Sequence, residues 1–250
     1  MLEVTILGIL QGVAEFLPIS SSGHLVIAQH VLGVEAPGMR LDVMLHLGTL
    51  LSIFAFYFAT LKRIVVNFEW KYVLMIAISA LPAVAVYLLF GDFVKSLFEN
   101  AKMVGALLMF TGAVLIGTRY LPQGDKDVSF ARALVMGFGQ ALALLPGVSR
   151  SGMTLASARA GKVDPGKAAE FSFLMSAPLI AGAALLEILK GPGCSSDADI
   201  SWGLTIYGAA LAAVVGYFSL KLLVRALKGR WFWLFGPYCL ATGLLALILI

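Results

Sequence analysis

Charge is the scarcest material in this chain of 250 residues: Asp, Glu, Lys and Arg make up 13% of it, against 60% for hydrophobic residues. With a mean hydropathy of +0.94, there is too little polar surface to coat a soluble globule, and the composition is that of an integral membrane protein. Cysteine is nearly absent. Cys194 and Cys239 fall in a predicted loop and a predicted membrane helix, which excludes a disulfide framework or a zinc site. A Walker loop, His/Cys ligand spacing, a GxSxG elbow and a polybasic tail are all missing, so neither nucleotide chemistry nor a nucleic-acid partner is expected. A basic stretch ahead of the first apolar run and a small-residue cleavage site are missing too, and the N-terminus is expected to be retained. The net charge of +4 is read as a topology signal of the loops rather than as an anion-binding surface.

What is there is a series of long apolar runs. Segments at about 41–61, 72–90, 103–121, 168–189, 203–224 and 231–250 each supply the roughly 20 apolar residues that a full span needs. Two further apolar regions, about 2–34 and 130–160, are interrupted halfway by PISSSGH and PGVSRSGMT. Their flanks are too short to span, so each is predicted to be a re-entrant helix–loop–helix. The 62–71 and 221–230 linkers carry Lys62, Arg63, Lys71, Lys221, Arg225, Lys228 and Arg230, and basic loops face the cytoplasm. The charge-balanced 91–102 and 190–201 linkers, residues 34–41 and the C-terminus then fall outside.

The two interrupted regions are related. They share Gln11/Gln140, Pro18/Pro146 and the pairs Ser22-Gly23 and Ser151-Gly152, and each precedes three spans. Three is odd, so the halves, about 1–125 and 126–250 of a single membrane domain, take opposite orientations. The expected fold is an all-α membrane protein of six spans plus two re-entrant regions in an inverted-topology repeat, with broken helices meeting at a site.

The polar residues inside lipid mark that site, because each needs a partner, a cavity or a ligand. Gln11 and Glu15 share a helix face at i, i+4. Glu15 can hold a divalent cation with help from the Gln11 carbonyl, or orient an imidazole. The run Ser20-Ser21-Ser22-Gly23-His24 breaks one helix and starts another, and a helix start binds anions through its amides and dipole. Ser21 with His24 three residues on is a nucleophile with a base, and His24 is itself an alternative nucleophile. Arg150, amid Ser149, Ser151, Gly152 and Thr154, suits phosphate oxygens, and an ion pair with Glu15 is compatible with that role. His30 is read as structural, His46 as near the outer mouth, Glu170 as supporting the second loop from the inner end of its span, and Glu187 as a snorkelling acid.

These residues together resemble the bacterial undecaprenyl-diphosphate phosphatase family. The likeness rests on Gln11-x-x-x-Glu15, the FLPISSSGH run and the PGVSRSGMT run, in that order along the chain. It implies an inner-membrane enzyme that removes one phosphate from undecaprenyl diphosphate, recycling the lipid carrier of cell-wall synthesis and conferring bacitracin resistance. It further implies a site opening to the periplasm, a divalent cation such as magnesium or calcium without an organic cofactor, and catalytic roles for Glu15, Ser21, His24 and Arg150. Ser20, Ser22, Gly23, Ser149, Ser151, Gly152 and Thr154 are then phosphate-binding candidates. A homodimer is left open as a partner. An inverted-repeat transporter or flippase of an anionic lipid is the alternative, and the Ser21/His24 pair is what speaks against it.

Overall fold

The computed structural model describes residues 1–32, 39–190 and 201–249, with the side chains of His30 and Glu187 outside that description. Cys194 and most of the expected outer segments 34–41 and 190–201 also lie outside the described residues. Among the described residues the chain is helical, and its one β feature is an isolated bridge between Lys126 and Val163.

In chain order the helices are α1 (Leu2–Ala14), α2 (Ser21–Leu32), α3 (Met39–Phe56), α4 (Phe58–Val66), α5 (Trp70–Phe98), α6 (Ala101–Gly117), α7 (Phe130–Leu142), α8 (Arg150–Ala160), α9 (Pro165–Lys190), α10 (Trp202–Lys228) and α11 (Phe235–Leu249). Polar residues start them where apolar runs begin. Asn100 Oδ1 accepts from the Met103 amide at 3.0 Å, and Asp164 Oδ1 from the Gly166 and Lys167 amides at 2.9 and 3.0 Å. Proline at the first position of α9 costs nothing, since its N–H would have been unpaired.

The interrupted regions resolve into α1–α2 and α7–α8. These helices have 13, 12, 13 and 11 residues, each short of the roughly 20 that cross a bilayer. Four helices are long and apolar enough to cross: residues 70–98, 101–120, 165–186 and 202–228. The pair α3–α4 makes a fifth if counted as one span. The chain is thus an all-helical integral membrane protein.

Three expectations need correction. The run at 231–250 is not one continuous helix: a 3-10 turn at Phe232–Leu234 precedes α11, which has 15 residues. The run at 41–61 is not one straight helix: it bends by 69° between α3 and α4, where Tyr57 (φ −102°, ψ 23°) leaves the helical region. The run at 72–90 does not stop there either. Helix α5 continues to Phe98 through a kink at Phe90, because Val94 is buried and Lys95 bonds Asp92 at 3.0 Å, so the segment read as a loop has its own packing and pairing.

Packing brings both interrupted regions inward. Helix α1 lies on α10 and α7 on α5, while α6 pairs with α11 and α3 with α10. Glycine permits the α6–α11 approach. A methyl on Gly112 would come 2.7 Å from the Gly236 carbonyl, and one on Gly105 3.0 Å from that of Gly243. Close backbone contact of this kind is the usual attraction between helices in lipid, where apolar burial alone gives none. The core gathers Phe16, Ile53, Tyr57, Leu108, Met136, Phe171, Phe173, Leu220 and Phe232. Leu81, Leu88, Leu89, Val214 and Phe218 stay exposed on α5 and α10, an apolar exterior suited to acyl chains.

Candidate active site

The first break begins at Glu15 and ends at Ser20, which takes φ +65°. A non-glycine residue in this left-handed region needs a reason, and the reason is local bonding. Ser20 Oγ accepts from the Gly23 amide at 3.2 Å, capping α2, and the Ser20 carbonyl accepts from the His24 amide at 3.1 Å. The same carbonyl lies 2.9 Å from His24 Nδ1. A carbonyl can only accept, so Nδ1 carries the proton, and Nε2 of a neutral ring accepts from the Tyr238 hydroxyl at 2.8 Å.

The second break copies this construction. Gly147 holds φ +92°, and Ser149 Oγ accepts from the Gly152 amide at 3.1 Å. The hydroxyls of Ser149 and Ser151 lie 3.3 Å apart, as those of Ser20 and Ser22 lie 3.4 Å apart. Thr111 of α6 clamps the loop, donating to the Gly147 carbonyl at 2.9 Å and accepting from the Ser149 amide at 3.2 Å. The breaks touch: a methyl on Gly23 would sit 3.0 Å from the Gly147 α-carbon.

Across that contact Arg150 Nη2 donates to Glu15 Oε1. Gln11 Nε2 donates to the other carboxylate oxygen at 3.2 Å, so Glu15, 8% exposed, is satisfied on both sides. The pair borders one of two adjoining cavities. One, of about 340 Å³, is walled by Glu15, Arg150, Asp42, His46 and Gln140 on its polar side and by Ala83, Leu144, Leu179, Ile180 and Ala184 on its apolar side. The other, of about 350 Å³, is lined by Gln11, Ser21, Ser22, Asp42, His46 and Phe98. Both fall in the size range of small-ligand sites. They meet at Asp42 and His46.

Of the residues singled out from the sequence, the structure brings Gln11, Glu15, Ser21, Ser22 and Arg150 to these cavities. Among the described residues Ser21 Oγ has no hydrogen-bond partner and no bond to His24, whose two ring nitrogens are taken by Ser20 and Tyr238. Thr154 turns to α9, its hydroxyl 2.6 Å from that of Ser172, and Ser149 and Ser151 bond each other behind the cavity wall. The Gly23 and Gly152 amides are spent on their own caps. Glu170 does not reach the second loop: it accepts from Thr60 at 2.9 Å, Tyr72 at 3.3 Å and Arg63 at 3.4 Å, tying α4 and α5 to α9.

Asp42, not singled out from the sequence, and His46, read as near the outer mouth, line both cavities. His46 Nδ1 donates to the Asp42 carbonyl at 3.0 Å, and its Nε2 stands 3.9 Å from Glu15 Oε2. Their i, i+4 spacing was the available signal. A divalent cation does not fit Glu15 and Gln11 as arranged. The glutamine turns its NH₂ rather than its carbonyl to the acid, the guanidinium holds the other oxygen, and no group of three acidic, His or Cys side chains gathers among the described residues.

Fold and site together define a polytopic membrane protein in which two broken helices meet at a buried arginine–glutamate pair beside a cavity. The chain belongs to the family described as bacitracin resistance protein BacA, which matches residues 4–245. It is similar to an undecaprenyl-diphosphatase of Halothermothrix orenii, at 36% identity over 99% of this chain and 97% of that protein. Undecaprenyl-diphosphatase 3 of Bacillus cereus is 37% identical over 99% and 96% of the two chains. An undecaprenyl-diphosphatase of Methanosphaera stadtmanae is 34% identical over 100% and 98%.

Proposed function

We propose that this protein hydrolyses undecaprenyl diphosphate to the monophosphate and inorganic phosphate, regenerating the lipid carrier of envelope synthesis and thereby giving bacitracin resistance. Full-length similarity to named undecaprenyl-diphosphatases supports the reaction, and the observation that carries it to particular residues is the Arg150–Glu15 pair in a cavity that meets, at Asp42 and His46, the one lined by Ser21.

The chemistry follows from charge. A diphosphate needs fixed donors where negative charge develops in transfer. It displaces Glu15 from Arg150, whose planar donors take two phosphate oxygens. The unengaged amides at the starts of α2 and α8, with the Ser22 hydroxyl, complete the cradle. Ser21 Oγ attacks the terminal phosphorus, the bond to the bridging oxygen breaks, and lipid monophosphate leaves. His24, anchored at Nδ1 by Ser20, takes the Ser21 proton at Nε2 after exchanging its Tyr238 bond for one to Ser21. The imidazolium passes that proton to the departing monophosphate, and water then hydrolyses the phosphoserine with the neutral imidazole as base. The apolar wall of Leu144, Leu179 and Ile180 receives the first isoprene units.

The topology proposed is six spans and two re-entrant hairpins as an inverted repeat. Matching serine caps, and the exchange of α1-on-α10 for α7-on-α5, support it. Basic residues support the orientation in the cytoplasmic membrane. Arg63, Lys126, Lys162, Lys228 and Arg230 gather at one end through bonds such as Arg230 Nε to Gln123 Oε1 at 2.6 Å and the Lys126 amide to the Lys162 carbonyl at 3.1 Å. That end is cytoplasmic. Phe98 and the start of α3 lie at the other end and border the cavities, so the site opens to the periplasm and the C-terminus lies there too.

Purified protein incubated with a polyprenyl diphosphate should release phosphate and form a Ser21 phosphoadduct detectable by mass spectrometry. No release would reject the reaction; an adduct on His24 would reject the assigned nucleophile.

A further inference from the structure

Among the described residues only three buried side-chain polar atoms lack a hydrogen-bond partner: the Tyr57 hydroxyl and both the Nε2 and Oε1 atoms of Gln140. Gln140 is 3% exposed. Burying an amide with both ends unpaired is unfavourable anywhere, and such a group in a native protein asks for an explanation. Gly139 beside it is held so tightly against α8 that a methyl there would meet Met153 O at 2.9 Å and Ser157 Oγ at 2.6 Å, which fixes the backbone here and leaves the Gln140 side chain on a neighbouring side of α7.

That side is the cavity wall shared with Glu15, Arg150 and His46. The repeat sharpens the point. Gln11, its counterpart in the first hairpin, spends its amide on Glu15 four residues later. Four residues after Gln140 stands Leu144, which offers no acceptor. The second hairpin therefore carries the same amide without the acid that would satisfy it, next to the one cation that the proposed diphosphate uncovers.

We propose that Gln140 is a substrate-binding residue. It donates from Nε2 to a phosphate oxygen of the anionic head group when the Glu15–Arg150 pair opens, and its Oε1 then accepts from a water brought in with that head group. This rests on the phosphatase reading of the site. The amide discriminates by hydrogen bonding rather than by charge, which complements the guanidinium: Arg150 recognises an anion, and Gln140 fixes which oxygen faces it.

The test compares wild-type protein with Gln140→Leu and Gln140→Asn in detergent micelles. It measures KM and kcat for a polyprenyl diphosphate, the inhibition constant of inorganic pyrophosphate, and thermal unfolding. Gln140→Leu should raise KM about tenfold or more, about 1.4 kcal/mol of lost binding, and weaken pyrophosphate by a similar factor. Its unfolding temperature should hold or rise, because an apolar side chain removes an unpaired polar group. Gln140→Asn, retaining a shorter amide, should fall between. A KM and a pyrophosphate constant within twofold of wild type in both variants would overturn the assignment, as would a lowered unfolding temperature with KM unchanged. Wild-type protein that releases no phosphate would defeat the phosphatase reading instead, and weaker pyrophosphate protection of Gln140→Leu against unfolding would still establish the contact.

Discussion

Arg150 and Glu15, 135 residues apart in sequence, form an ion pair that joins the two breaks in the helical framework. Neither charge reaches bulk water freely, the side chains being 20% and 7% exposed. Removing one partner from such a pair leaves an uncompensated buried charge, at a cost of about 3–5 kcal/mol.

Glu15→Gln and Arg150→Ala should therefore each lower the unfolding temperature and reduce phosphate release on the order of 10²-fold or more. The double variant should recover stability but not activity. Calorimetry beside a phosphate-release assay would show it, and equal stability in all four proteins would mean that the pair contributes nothing to the fold.

The serines of the first break should separate by role. Ser21 Oγ has no bond to lose, so Ser21→Ala should abolish release while leaving unfolding unchanged. Ser20→Ala removes the cap on the Gly23 amide and should cost about 0.5–2 kcal/mol of stability. Denaturant titration and an activity assay on the two variants give a crossed result if the roles are as assigned.

His46 sits where the cavities join, held by the Asp42 carbonyl and facing Glu15. His46→Ala should lower kcat/KM about tenfold or more through loss of a polar contact at the carboxylate, with His46→Gln losing less. Unchanged steady-state kinetics in His46→Ala would place the residue outside the reaction.

Glycines give a purely structural prediction. Gly112→Ala puts a methyl 2.7 Å from the Gly236 carbonyl, whereas one on Gly182 meets nothing within 4 Å. The first change should destabilise by about 1–3 kcal/mol through overpacking. The second should be neutral or add up to about 1 kcal/mol by replacing glycine within a helix. Thermal unfolding of the two variants decides it.

The features legible in the sequence were those that violate the apolar background. Pro18, Pro146, the serine clusters and the glycines marked both helix breaks, and Glu15 and Arg150 stood out as charges in lipid. The bend at Tyr57 was not legible, since FAFYFAT contains neither proline nor glycine. Contacts made far away in the chain set it: Tyr57 packs near Phe173 at a 6.5 Å ring separation, and Thr60 bonds Glu170. The extension of α5 to Phe98 was hidden for the opposite reason, because Asp92 and Lys95 look like loop charges yet pair one helical turn apart. The engagement of His24 by Tyr238 joins residues 214 apart, and local spacing carries no trace of it.

The Glu15–Arg150 bond also has a kinetic side. A site that carries its own carboxylate contains an internal competitor for every anion that enters. Competition for one guanidinium is graded by ligand charge, so the proposed diphosphate displaces Glu15 more readily than the lipid monophosphate left after transfer. The returning carboxylate then speeds product departure, and Glu15→Gln should show stronger product inhibition in whatever turnover it retains. The residue that keeps the empty site neutral would thus also keep it from being clogged by its own product.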